Sequence, residues 1–327
     1  MSFKDVLGFD PTIIGEGGSG WIPPEARDIE MQAVHEAVMA GMPSFGEVNS
    51  YDDLPAECIL ATLERKATGS VLPRIWQKSG SCVGAGAAMA YVQSMCGDIV
   101  ARGDNEEAKH CYPWATYGMG RKLGGMNRTG EGSFGSAQAR AVKEWGMLPG
   151  DDTRLPQPTN RDGWLVWSSS TEIQWSHPNG WPIPESTLRD DASRFQILET
   201  AQVRQVKEVQ RALSQGYGAT LASMFGTRNE RVIDGYLVGD WTASWSHQMS
   251  CGGYSTHPTL GIVYWIQNQW GPSAHPSCPK MLALGVNGGF WIKESTMQQI
   301  ISKGEVFIHS NTEGFPARQI KWRDWTV

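Results

Sequence analysis

Gln77-Lys78-Ser79-Gly80-Ser81-Cys82-Val83-Gly84-Ala85-Gly86 opens a run that stays small or apolar to about Met95, and its reading decides the fold. Apolar or small residues on nearly every face mean a buried helix. Gly84 and Gly86 lower its helix propensity, which is tolerable where close packing needs them. Two later segments belong with it: Ser246-His247-Gln248-Met249 continuing to Gly252-Gly253-Tyr254, and Tyr264-Trp265-Ile266-Gln267-Asn268-Gln269-Trp270-Gly271. In chain order they supply an amide donor, a thiol, an imidazole and a second amide. Acyl transfer by a thiolate requires that set: a nucleophile, a base, an orienter for the base and a donor for the oxyanion. Cys82 has a blander reading as one more small core residue. A thiol at a helix N-terminus, however, meets the positive end of the helix dipole, which favours thiolate.

These segments resemble the signatures of the papain-like cysteine peptidases. Ser79-Gly80-Ser81-Cys82 fits the frame around that family's nucleophile, with Ser79 in place of its disulfide-forming cysteine. His247 followed by Gly253-Tyr254 matches the frame around the base. Asn268-Gln269-Trp270-Gly271 matches the orienter segment but for one position, and Asn287-Gly288-Gly289-Phe290-Trp291-Ile292 resembles a downstream strand. Against the family pattern, the step from Gln77 to Cys82 is one residue shorter and Val83 replaces an aromatic. The Cys-to-His interval also exceeds the roughly 130 residues usual in papain and cathepsins. The resemblance implies an α+β, papain-like fold: a helical subdomain whose central helix starts at Cys82, an antiparallel barrel-like subdomain, and a cleft between them. It also implies roles: Cys82 as nucleophile, His247 as base, Asn268 as its orienter shielded by Trp270, and Gln77 with the Cys82 N–H as oxyanion donors.

The chain has 327 residues, with 28 Lys and Arg against 34 Asp and Glu, a net charge of −6. That balance gives no basic footprint for nucleic acid or anionic membrane. No apolar run is long enough to span a bilayer. Met1-Ser2-Phe3-Lys4-Asp5-Val6 lacks the charged and apolar regions of a secretory signal. The expected location is therefore cytoplasmic or virion-associated, in a reducing compartment. The scattered cysteines agree, with no Cys-x-x-Cys among Cys58, Cys82, Cys96, Cys111, Cys251 and Cys278. A zinc site from Cys251, His257, His275 and Cys278 competes with free thiols, but only His275-x-x-Cys278 has ligand spacing. No metal or organic cofactor is expected.

Residues 1–70 lie outside the resemblance and read as an N-terminal extension, an arm plus helices. It is either a pro-like segment or, as its lack of the family's propeptide pattern favours, one that docks on the body or on a partner. Gly15-Glu16-Gly17-Gly18-Ser19-Gly20 mimics a phosphate loop but lacks the Lys-Ser/Thr, so it reads as a flexible arm. Pro24 is placed to open a helix to about Ala40, and a second helix is expected over Pro55–Ala67. Residues 71–315 form the peptidase-like unit, with an insertion at 153–195 and a tail at 316–327. Trp164, Trp167, Trp175 and Trp181 in the insertion either line a groove or pack it onto the body. Ala201, Val203, Val206, Val209 and Leu213 predict an amphipathic helix. Strands are expected at Ala219–Phe225, His247–Tyr254, Ile262–Gln267 and Gly289–Lys293. His35, His110, His177, His257, His275 and His309 carry no motif context and read as ordinary residues.

The implied activity is peptide-bond hydrolysis through a Cys82 thioester, with a polypeptide as substrate. An alternative keeps the fold as a structural or docking component of an assembly such as a phage virion, meeting partners through residues 1–70 or 153–195. Amide transfer or isopeptide cleavage is a third reading. The first two differ over the cleft: open with a reactive thiol, or filled by the chain itself.

Overall fold

The computed structural model describes residues 20–48, 54–103, 108–126, 131–318, 320 and 322–325. The glycine-rich stretch before Gly20 lies outside them. Pro24 opens only a single 3-10 turn, Pro24–Ala26. The helix proper, α1 (Ile29–Ala40), starts at Asp28, whose carboxylate accepts the Met31 N–H at 2.9 Å. A capping carboxylate satisfies an orphan amide that a proline start leaves bare, and this sets the boundary. A short helix, α2 (Phe45–Val48), follows. The helix expected from Pro55 begins later: Glu57–Ile59 is strand β1, drawn into antiparallel pairing with residues 253–255, and α3 runs Leu60–Thr68.

After strand β2 (Arg74–Trp76) comes the central helix α4 (Cys82–Arg102), buried along most of its length. Helices α5 (Pro113–Leu123) and α6 (Gly135–Glu144) pack beside it. A Cβ on Gly84 would sit 2.5 Å from Tyr117 Cβ and 2.8 Å from the Pro113 carbonyl, so α5 reaches α4 only because that residue is glycine. The insertion supplies β3 (Thr159–Arg161), β4 (Trp164–Val166), α7 (Ser169–Ser176) and α8 (Glu185–Ala192). Its strands join β2 in a small sheet ordered β2-β4-β3. Trp164, Trp167 and Trp175 are buried, and Tyr112 meets the last two edge-to-face. Trp167 and Trp175 therefore pack the insertion onto the helical half, while Trp164 Nε1–H donates to Asn287 at 2.8 Å.

The second half opens with β5 (Glu199–Gln202), so Ala201 lies on a strand. The expected helix is confined to α9 (Val206–Ser214), started by a capping box between Gln205 and Glu208. Strands β6 (Ala219–Gly226), β7 (Arg231–Ile233), β8 (Tyr236–Val238), β9 (Ala243–His257) and β10 (Gly261–Gln267) follow. Helix α10 (Pro279–Leu282), strand β11 (Gly289–Lys293), helix α11 (Glu294–Lys303) and strand β12 (Glu305–Ser310) complete it. The large sheet is ordered β5-β12-β6-β9-β10-β11-β8-β7, with β1 on β9. It is antiparallel except at β8–β11, and among the described residues its end strands do not pair and no closed barrel forms, so it is an open sheet.

One core lies on this sheet around Tyr254, Tyr264, Trp265 and Trp291, another in the helical half around Met89, Tyr112, Trp114 and Trp175. The first turn of α4 joins them: Gln248 Nε2 on β9 donates to the Val83 carbonyl at 2.9 Å. Among the described residues no helix is long and apolar enough to cross a membrane.

Candidate active site

Cys82 begins α4, its thiol wholly buried. The loop before it is held from several sides. Gln77 N–H donates to the Gln269 carbonyl at 2.9 Å, which ties the loop before Cys82 to the segment carrying Asn268. Gln77 Nε2 donates to the Ser79 carbonyl at 2.9 Å, so the amide expected at the oxyanion is committed inside its own loop. Lys78 N–H and the Ser79 hydroxyl donate to Glu172 of α7 at 2.8 and 3.0 Å, and Gly80 N–H donates to Glu131 at 2.7 Å. Burial pushes the Glu172 carboxyl up to about 8, against the pull of the Lys78 N–H and the Ser79 hydroxyl.

His247 lies on β9 opposite Ser223 of β6, wholly buried. Its Nε2–H donates to Asn268 Oδ1 at 2.9 Å, and its ring stacks on Trp270 with centroids 4.5 Å apart. Nδ1 is buried and has no hydrogen-bond partner among the described residues. Asn268 Oδ1 also accepts the Gln269 N–H at 2.7 Å, while its Nδ2 reaches His275 Nε2 at 2.8 Å. His275, read from the sequence as an ordinary residue, thus belongs to this cluster. Its Nδ1 meets Glu230 Oε1 at 2.8 Å.

The backbone of Gln248, the residue after His247, hydrogen-bonds the Cys82 sulfur. Burial disfavours the charged form of both Cys82 and His247. Burial pushes the thiol up to about 12, although hydrogen bonds from the Gln248, Gly20 and Val83 backbone pull it down. Burial likewise pushes the His247 imidazole down to about 4, with the Asn268 hydrogen bond opposing.

The chain's own N-terminal segment covers the Cys82 side of this site: Trp21 and Ile22 join Cys82 and Val83 in one buried cluster, and the Gly20 backbone reaches the sulfur. Trp21 N–H donates to the Ser246 carbonyl at 3.1 Å and the Ser246 hydroxyl donates back to the Trp21 carbonyl. From the opposite wall, Ser133 N–H donates to the Gly20 carbonyl at 2.8 Å and Ile22 N–H to the Ser133 carbonyl at 2.7 Å. Residues 20–22 therefore lie between both halves as an extended strap. A Cβ on Gly20 would fall 1.7 Å from the Gly80 carbonyl oxygen, so only glycine fits against the loop before Cys82. The Trp21 ring packs with Val83, Tyr117, Phe134 and Ala137. Glu305, at the start of β12, holds the strap down. It accepts Trp21 Nε1–H at 2.7 Å, Arg27 at 2.8 Å and Gly135 N–H at 3.1 Å, with His35 Nδ1 at 3.3 Å. Burial alone would raise this carboxyl; His35, Arg27 and Trp21 outweigh it and hold it at about 2.

Sequence reasoning missed Glu172, Glu131, His275, Glu230 and Glu305. None has a motif around it, and each is recognisable only by what it touches. The cysteines and histidines weighed for zinc are engaged separately: Cys251 with the Gly253 carbonyl, Cys278 with the Gly235 carbonyl and His257 Nδ1 with the Thr259 N–H. Among the described residues no group of three or more His, Cys, Asp or Glu is arranged to hold a metal ion.

No protein-family model matches the sequence, and no curated protein matches it. Solved structures do. Xylellain, a cysteine protease from Xylella fastidiosa, is 16% identical with a TM-score of 0.54, covering 92% of this chain and 98% of its own. The Amb a 11 cysteine protease, a major ragweed pollen allergen, in its proform, is 12% identical with a TM-score of 0.52, covering 86% and 75%. At these identities the likeness is one of fold: the chain has a papain-like, α+β fold.

Proposed function

We propose that this papain-like fold is a thiol peptidase held latent by its own residues 20–22. The observation that carries the reading is the His247 ring. Nε2 is committed to Asn268 and the face to Trp270, while Nδ1 is left buried and unpartnered beside the residue whose backbone touches the Cys82 sulfur. A buried nitrogen without a partner costs about 1–3 kcal/mol, and such groups are kept where function needs them.

With the strap withdrawn, water reaches the pair and the burial that keeps both groups neutral is relieved. The N-terminus of α4 then favours thiolate at Cys82, and His247 Nδ1 takes the thiol proton. Cys82 Sγ bonds to the scissile carbonyl carbon, and the oxyanion is met by the Cys82 N–H and by Gln77 if its amide turns from Ser79. His247 passes the proton to the leaving amine as the C–N bond breaks. Water, deprotonated by His247, then cleaves the thioester and restores the thiol. Asn268 keeps the ring in place throughout. A polypeptide is the substrate class, because the strap that fills the cleft is itself extended polypeptide bonded to Ser246 and Ser133. The proform state of the similar Amb a 11 structure supports a latent reading.

A filled cleft also favours the other reading, a docking module of an assembly. Alkylation separates them. Gly20→Ala drives a methyl into the Gly80 carbonyl without touching the site's side chains, so the strap must leave. Iodoacetamide should modify Cys82 slowly in the unaltered chain and much faster in Gly20→Ala, persisting below pH 8, with hydrolysis of an unfolded protein appearing alongside. Folded Gly20→Ala protein that shows neither would give the docking reading the lead.

A further inference from the structure

Behind Asn268 runs a hydrogen-bonded chain that ends on a carboxylate, and its proton positions can be deduced from its two ends. The Gln269 backbone N–H can only donate, and it faces one Asn268 side-chain atom at 2.7 Å. That atom must be Oδ1, so the NH2 group faces His275 Nε2 at 2.8 Å. His275 Nε2 must then accept, which places the ring proton on Nδ1, 2.8 Å from Glu230 Oε1. The Glu230 carboxylate is the matching acceptor. Because Oδ1 faces His247 Nε2 at 2.9 Å, that nitrogen carries hydrogen and the His247 lone pair lies on Nδ1. The ring of His275 is itself fixed, edge-to-face with Phe290 at 4.7 Å and beside Trp245 at 6.1 Å. Asn268 is fully buried and His275 only 7% exposed, so water does not compete for these groups.

We propose that His275 and Glu230 are positioning residues of this site: through Asn268 they fix His247 in the tautomer that leaves Nδ1 as the base, and they place a carboxylate where it steadies the imidazolium formed during turnover. Without an acceptor at position 275, the Asn268 amide keeps the Gln269 and His247 contacts at Oδ1 while its buried NH2 is unsatisfied. The amide then turns or shifts, and His247 loses its single orientation. The inference rests on the peptidase reading for its catalytic consequence, but not for the tautomer.

The test is made in the full-length Gly20→Ala protein, by steady-state kinetics and by 15N NMR of the histidine side chains. His275→Leu removes the acceptor, while His275→Gln returns one to the same NH2 group. Expected are a fall in kcat of roughly 10–100-fold with KM little changed in His275→Leu, and substantial recovery in His275→Gln. The His247 ring should be a single Nε2–H tautomer in the parent and in His275→Gln, and mixed in His275→Leu. A folded His275→Leu protein with parental kcat and an unchanged His247 tautomer overturns the proposal. If that variant does not fold, Glu230→Ala serves: an unchanged His247 tautomer and unchanged kcat there overturn it equally. Absence of hydrolysis in every variant, with the tautomer change still seen, refutes the peptidase reading and leaves the proton arrangement standing.

Discussion

Replacing Glu305 by Gln tests the latch on the strap. The carboxyl is held at about 2 against an ordinary 4.5, burial opposing and His35, Arg27 and Trp21 prevailing. A folded-state value below the unfolded one means stability that is full above pH 4.5 and lost as pH falls towards 2. At about 1.4 kcal/mol per pKa step the carboxylate contributes about 3 kcal/mol at neutral pH. Removing one member of a buried ion pair costs a similar amount, because the partner charge is stranded. That partner is Arg27, whose side chain is 0% exposed. Trp21, Arg27 and His35 belong to the N-terminal segment, so most of the loss falls on strap docking. A loss of about 3 kcal/mol raises the open population roughly 100-fold. The assay is iodoacetamide labelling at pH 7 with adduct mapping, under conditions where closing outruns alkylation. The other five cysteines, all free and buried, are internal controls for global unfolding. Cys82 labelling should accelerate by one to two orders of magnitude in Glu305→Gln while the other thiols lag. Equal acceleration at all six would mean that Glu305 stabilises the whole fold and latches nothing.

Cys82→Ala should abolish hydrolysis in the Gly20→Ala background while leaving the far-UV CD spectrum and Tm near those of the parent; retained hydrolysis would remove the nucleophile assignment. Asn268→Ala should be milder, lowering kcat/KM roughly 10–100-fold, the worth of one hydrogen bond to a charged ring; a loss as large as that of Cys82→Ala would show a role beyond orientation. Glu172 carries the opposite pH sign to Glu305. Its folded value of about 8 lies above the ordinary 4.5, so stability is highest below pH 4.5 and declines as pH rises through 8. Glu172→Gln keeps an acceptor for the Lys78 N–H and should flatten that decline, gaining up to roughly 4 kcal/mol on the parent between pH 5 and 9 by urea denaturation. Parallel stability curves for the two proteins across that range would contradict it.

The candidate site was legible in the sequence where its signals are local. Cys82 sits at the end of a small-residue helix, and its glycines announce close packing that Gly84 against Tyr117 bears out. His247 and Asn268 each carry a signature in the residues beside them, and the strands expected at Ile262–Gln267 and Gly289–Lys293 form there with little or no shift. Boundaries failed where distant pairing outbid local preference. Glu57–Ile59 left a helix to join residues 253–255, and Ala201 left one to join β12.

The sequence by itself determined the buried helix, several strands and the short motifs whose resemblance implied a papain-like fold, because all of these are properties of neighbouring residues. Tertiary structure alone decided the state of the site. Trp21 meets Glu305 across 284 residues, Lys78 meets Glu172 across 94 and His275 meets Glu230 across 45. Whether the thiol and the imidazole are charged, and whether the cleft is open or strapped shut, depends on which groups remove water from them. That is a matter of proximity in space, and order along the chain does not encode it locally.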